Sequence, residues 1–267
     1  MIDLTSGCGR IDAVVCLHAK NLPTIHLCLQ GILENLPVNK IYIVTSAANF
    51  GFLKSTAGQL IDEDCVIPGV SADLIGGPKW PWYFQQLLKL AMASRVRSPY
   101  YVVVDADTVF LRPVKLFDGD RPLYVPATEF HRVYFDTFRS LLGFRARREY
   151  SFVAHHMVFK VETVTEMCDR FRPEAPWWKN IVTLASGSAS KSLGVFSEYE
   201  TYGHYLRAVH PDAMGMRPLR WADVPTFPNS TLLRLLRLRF HYCSFHEYMR
   251  SGHTLRLRWV ARLARTL

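Results

Sequence analysis

Residues 100–113 read YYVVVDADTVFLRP. The first five form an unbroken aromatic and apolar run, the pattern of a strand buried on both faces. Two carboxylates follow at once, Asp105 and Asp107, separated only by Ala106. A core strand that ends in two close negative charges calls for something that offsets their repulsion and desolvation. A hard divalent cation does so, because Mg²⁺ and Mn²⁺ take oxygen ligands and share them with substrate phosphates. The small Ala106 leaves room for such a ligand to come close to the chain. The plain alternative is a turn, which Asp favours by bonding its own backbone.

Other groups with chemistry to offer lie on both sides of this pair. In GGPKWPWYFQQLLKL, residues 76–90, Lys79 could reach a phosphate from a loop. Gln85, Gln86 and Lys89 follow on a helix, with Lys89 one turn after Gln85. His155 and His156 stand in SFVAHHMVFK, which reads as a loop entering a strand. Glu198 and Glu200 stand in FSEYETYGHYL, at a helix start where the macrodipole favours acids. Being two apart, they point in different directions, so one of them at most faces a common site. FHYCSFHEY supplies His241 and His246, and neutral imidazole is a good ligand for Mn²⁺.

The elements that must hold these groups alternate along the chain. Strands are predicted over 11–17, 40–45, 64–67, 100–104 and 123–126. Helices are predicted over 22–36, ended by Pro37, and over 52–60. The firmest helix is 82–93, with Phe84, Leu87, Leu88 and Ala91 at i, i+3, i+4 and i+7. Such alternation predicts an α/β fold with a mixed, mostly parallel sheet flanked by helices. In sheets of that kind, ligands bind beyond the carboxyl ends of the strands. His18, Thr45 and Asp105 all fall at such ends.

The bulk numbers narrow the classes. A chain of 267 residues, 49% hydrophobic, can bury a full core, and no Pro/Gly/Ser-rich linker or internal repeat divides it. One domain is expected. None of the six cysteines forms a CxxC pair, so no zinc site is indicated, and a reduced, cytoplasmic setting is the simplest expectation. The N-terminus lacks the basic region and the long apolar run of a signal peptide. No apolar stretch reaches the roughly 18 residues that span a bilayer. The net charge is +9, and it is uneven: residues 231–267 hold eight arginines against one glutamate, interleaved with Leu, Trp and Val. A solvated helix face, a peripheral membrane contact and a nucleic-acid patch all fit that pattern. No nucleic-acid reader motif accompanies it, so nucleic acid is not expected, and a solvated face and a peripheral contact with the inner face of the membrane both stay open.

Taken in order, WYFQQLLKL, VVVDADTVFLRP, HHMVF, SEYETYGHY and SFHEY resemble the nucleotide-sugar glycosyltransferases of the GT-A fold. The resemblance is to the type found in bacterial capsule and cell-surface polysaccharide loci. It implies a nucleotide-sugar half over 1–110, an acceptor half over 111–248 and a basic amphipathic tail over 249–267. The ligand set it implies is Asp105, Asp107 and His246 around Mn²⁺ or Mg²⁺, with His241 in reserve. The donor it implies is a nucleoside-diphosphate sugar, with uridine as the base. His18 would lie near that base, Thr45 near the ribose, and Gln85, Gln86 and Lys89 near the sugar. His155 and His156 would face a glycan or glycolipid acceptor. Glu198, with Glu200 second, would take the proton from the acceptor hydroxyl if the enzyme inverts. No acidic pair of the ED type is present, so inversion and retention both stay open. Two other classes fit less of the chain. A haloacid-dehalogenase-like phosphatase shares the DxDx[TV] pattern at Asp105, Asp107 and Val109, but that motif normally opens its fold. A non-catalytic carbohydrate- or nucleotide-binding module would bind without turnover.

Overall fold

The structure, a computed structural model, describes residues 11–70, 74, 79–171, 176–187 and 194–246. Tail residues 249–267 lie outside the described residues.

The centre is a five-stranded sheet. Its strands are β1 (Ile11–Cys16), β2 (Ile41–Thr45), β3 (Gln59–Asp62), β4 (Tyr100–Val104) and, later in the chain, β8 (His156–Lys160). Their spatial order is β3-β2-β1-β4-β8. The pairs β1–β2, β1–β4 and β2–β3 run parallel, and only β8 runs against its neighbour β4. The fold is therefore mixed α/β with a mostly parallel sheet. The two faces bury alternate residues, as the period of a strand requires. Val14, Cys16, Tyr101 and Val103 enter one core cluster, while Ala13, Val15, Val102 and Val104 enter the other.

The helices are α1 (Ile25–Asn35), α2 (Trp80–Ala91), α3 (Arg132–Leu142), α4 (Val161–Asp169), α5 (Trp177–Ser186), α6 (Glu198–Val209) and α7 (Ser230–Arg237). Helix α1 lies against one sheet face, and α2, α4, α5 and α6 pack with the opposite cluster. Among the described residues no helix is long and apolar enough to cross a membrane. Two small sheets complete the fold. One, in the order β10-β11-β5, joins Trp221–Asp223 (β10), Tyr242–Ser244 (β11) and Thr108–Phe110 (β5). The other joins Phe117–Asp118 (β6), Arg121–Tyr124 (β7) and Gly215–Met216 (β9).

Two predicted elements moved. The third strand is Gln59–Asp62, not 64–67, because Leu60 and Ile61 pair with Ile43 and Val44. The acids that follow turn away from the ladder: Asp62 caps Asp64 N–H, and Glu63–Cys65 forms a 3₁₀ turn. The helix predicted over 52–60 is instead a 3₁₀ segment at Ala47–Leu53. Gly58, at φ 139°, swings the chain into β3, a backbone shape open to glycine.

Strand order reverses at β1. The chain runs outward through β2 and β3, then returns to place β4 on the other side of β1. Such a switch point leaves a crevice beyond the carboxyl ends of the two strands. Asp12, buried, fixes the entry to β4 by accepting from the N–H groups of Arg97 and Ser98. Gly31 fixes the exit: a Cβ there would lie 2.8 Å from the Phe110 nitrogen, so only glycine lets α1 pack this closely on β5.

Candidate functional site

Asp105 and Asp107 sit at the carboxyl end of β4, on the switch point. The turn they occupy is pinned by backbone bonds. Asp105 N–H donates to the His155 carbonyl, Thr108 N–H to the Asp105 carbonyl, and Phe245 N–H to the Asp107 carbonyl. These bonds bring the start of β8 and the end of β11 to the acidic pair.

Asp105 faces inward to a buried lysine. Lys89 Nζ lies 2.7 Å from Asp105 Oδ1 and 2.6 Å from Glu198 Oε1. Tyr199 Oη donates to the same Asp105 oxygen at 3.0 Å. Lys89 is 4% exposed, so one ammonium joins two carboxylates out of water. Burial works against all three charges. For Asp105 the pull of Lys89 and His155 outweighs it and holds the carboxyl well below its usual range. For Glu198 burial dominates and raises the pKa, with Lys89 offsetting only part. Lys89 itself is lowered by burial but lifted further by its two partners, so it stays charged.

Asp107 faces outward to a second cluster. His246 Nδ1 lies 3.1 Å from Asp107 Oδ2, and its Nε2 lies 3.0 Å from Asp223 Oδ1. His155 Nε2 lies 3.4 Å from the same Asp223 oxygen, and its Nδ1 lies 3.7 Å from Asp105 Oδ2. One ligand atom from each of His155, Asp223 and His246 falls within 4.8 Å of the others. His155 Nε2 is buried, and the Asp223 carboxylate at 3.4 Å is a loose partner for it. Two imidazoles and a carboxylate whose ligand atoms converge within 4.8 Å are a donor set that suits a cation. The residues therefore fit a divalent metal, held by His155, Asp223 and His246 with Asp107 alongside. Asp105 would act one step back, orienting the His155 ring by its other nitrogen, as carboxylates commonly do for metal-bound histidine.

The remaining sequence candidates separate into those near the cluster and those away from it. Gln86 is near: its Oε1 accepts from Glu198 N–H at 3.0 Å and so seats the start of α6. Gln85 donates to the Cys16 carbonyl at the end of β1. Thr45 is fully buried and ties β2 to β1 by donating to the Leu17 carbonyl. His18 is exposed and caps the 3₁₀ turn at Ala19–Asn21. Lys79 lies over the Trp82 ring at 5.7 Å, and Ala106 is buried beneath the acidic turn.

His155 and His156 part company. Successive residues entering a strand point to opposite faces, and His156 packs on Phe110 and Tyr242 in the core. Burial lowers its pKa to about 3, so it is a neutral core histidine. Glu200 also points elsewhere. Its Oε2 accepts from Ser151 Oγ and Phe152 N–H, clamping the loop that leads to His155. His241 precedes β11, where its Nδ1 accepts from Arg220 N–H, whereas His246 follows that strand's exit. Asp223 and Tyr199 were not among the sequence candidates. Asp223 stands alone at the end of a three-residue strand, and nothing in its spacing marks it. Tyr199 lay in a motif singled out for its acids.

The cluster predicts a pH signature. Burial lowers the pKa of His246, but its bonds to Asp107 and Asp223 outweigh that and lift it from 6.5 to about 10. A raised histidine contributes stability that is full below its unfolded pKa and lost as pH rises through its folded one. In chelator-treated protein, Tm should therefore fall between pH 6.5 and about 10, and His246→Gln should make that slope shallower, leaving the part from His155, which burial lowers but Asp105 and Asp223 raise. A wild-type Tm flat across this window would contradict an imidazolium bridging two carboxylates.

No protein of curated function matches the chain. Among solved structures, mouse xyloside xylosyltransferase 1 in its apo form superposes with a TM-score of 0.48 at 12% identity, over 90% of this chain and 99% of its own. A superposition at that level carries no argument about activity. The family described as "Family of unknown function (DUF6492)" matches residues 23–216. The matched segment holds Lys89, Asp105, Asp107, His155 and Glu198, and ends before Asp223 and His246. The chain belongs to this family, DUF6492.

Proposed function

We propose that this chain is a metal-dependent glycosyltransferase of GT-A type. It would move a sugar from a nucleoside-diphosphate sugar to a hydroxyl of a glycan or lipid-linked acceptor. One observation carries the reading: Asp107, His155, Asp223 and His246 converge at the carboxyl end of β4, beside the β1–β4 switch point. Two imidazoles with two carboxylates suit Mn²⁺ better than Mg²⁺, which prefers oxygen alone. A cation bound there supplies positive charge beside the leaving diphosphate.

The chain's own residues do the positioning. Lys89 holds Asp105, and Asp105 orients His155. Gln86 and Lys89 hold Glu198 beside the cluster. Glu198 is a better candidate base than Glu200, because burial raises its pKa toward the working range of a base. The oxygen that Lys89 does not hold would meet the acceptor hydroxyl. Glu200 spends one oxygen on the 151–152 loop and so supports His155 instead.

The test is turnover with a panel of UDP-sugars in Mn²⁺, with and without sugar acceptors. Release of UDP from one donor, abolished by chelator, is the expected result. The anomeric configuration of the product then decides between inversion and retention. Release of inorganic phosphate from simple esters would indicate a phosphatase, and binding without turnover would indicate a binding module.

A further inference from the structure

Helix α7 is the crossover between β10 and β11, so it joins the strand carrying Asp223 to the strand leading to His246. One side of this segment packs inward: Leu232, Leu233, Leu236 and Phe240 join the cluster that includes Val109 and Cys243. The opposite side is bare. Leu235 is 41% exposed and Leu238 is 67% exposed. Leu238 caps the helix with helical backbone angles, so, three residues apart, the two share one side of it. Arg234, Arg237 and Arg239 are exposed around them. Arg112 joins the same end by donating its Nε–H to the Arg237 carbonyl. No Asp or Glu occurs between Asp223 and Glu247.

Leucines left in water are costly, and arginines beside them are no remedy for a protein that stays in solution. Nucleic acid would use the arginines but not the leucines. An apolar protein partner would use the leucines but would have to desolvate the arginines. A surface that is apolar inside and negatively charged outside uses both.

We propose that this face of α7 docks on an anionic lipid bilayer. Leu235 and Leu238 enter the boundary of the acyl region, and Arg234, Arg237 and Arg239 meet the headgroup phosphates. Docking would hold the small sheet against the bilayer, with the Asp223–His246 cluster at the far end of its three-residue strands. Use of a lipid-linked acceptor there rests on the glycosyltransferase reading, whereas docking itself does not.

The test is sedimentation of the full chain with phosphatidylcholine vesicles, with and without phosphatidylglycerol. The chain should pellet with the anionic vesicles and stay in solution with the neutral ones. The double variant Leu235→Asp/Leu238→Asp should partition at least about tenfold less while keeping the wild-type Tm. Phe52→Asp, at a residue 75% exposed elsewhere on the surface, should leave partitioning unchanged. Absence of binding to anionic vesicles would overturn the proposal, and so would a double variant that binds like wild type. Loss of binding only on replacing Arg256, Arg258, Arg262 and Arg265 by Ser would assign the contact to the tail instead. A dimer lost in the double variant, without vesicle binding, would assign the face to a second copy of the chain. Neither depends on turnover, so a failed docking test and a failed activity test are distinct outcomes.

Discussion

Asp223→Ala should abolish tight Mn²⁺ binding, with affinity falling at least about 100-fold by calorimetric titration. Removing an outer partner of a metal ligand alone costs about 10- to 100-fold, and Asp223 sits closer than that. One of its oxygens lies 3.0 Å from His246 and 3.4 Å from His155, so it joins both imidazoles at one point. Without it the two rings lose their common carboxylate and the site loses the negative charge nearest to both. The residue is partly exposed, at 32%, so the fold should tolerate alanine. Unchanged Mn²⁺ affinity would remove Asp223 from the ligand set and leave the acidic pair to act without it.

The second large effect lies one layer deeper. Lys89→Met should lower stability by about 3–5 kcal/mol, the usual cost of removing one partner from a buried ion pair. For a chain of this size that is roughly a 10 °C fall in Tm. Methionine fills most of the space, so the loss would come from charge: the buried Glu198 would be left without a counter-ion, and Asp105 with only His155 beside it. A pH series separates this from a packing defect. Without Lys89 the folded state favours protonated carboxylates, whose folded pKa then lies above the unfolded value. That defect disappears as pH falls below the unfolded carboxylate range. The gap in Tm between variant and wild type should therefore narrow on acidification. A gap independent of pH would mean that Lys89 matters for its volume, and no gap would mean that the ammonium is not needed.

The chain announced its scaffold more clearly than its site. β1, β2 and β4 were legible because sheets buried on both faces demand largely apolar runs such as AVVC and YYVVV. The α2 helix was legible from its spacing and α6 from the acids at its start. The third strand was misplaced because DCVI is as apolar as QLID, and only the ladder with β2 decides between them. At the candidate site, the spacing of Asp105 and Asp107 singled out the carboxyl end of β4. It could not show that the two aspartates face different partners, one a buried lysine and the other a histidine. Lys89 read as a donor-binding residue on an amphipathic helix, yet it is locked between two acids. His155 and Asp223 come together only because antiparallel β8 and the β10–β11 pair end near the same turn. Contacts of that range leave no local pattern in a sequence.

The most direct test is thermal unfolding with a panel of nucleoside diphosphates, each with and without Mn²⁺. A ligand that binds only the folded chain raises Tm by mass action, by about 2.7 kcal/mol of added stability at a hundred times its Kd. The glycosyltransferase reading predicts a rise with one nucleotide, UDP first among them, that requires Mn²⁺ and disappears in Asp107→Ala. A Tm that no nucleotide moves, or that moves equally without the cation or in Asp107→Ala, would contradict it.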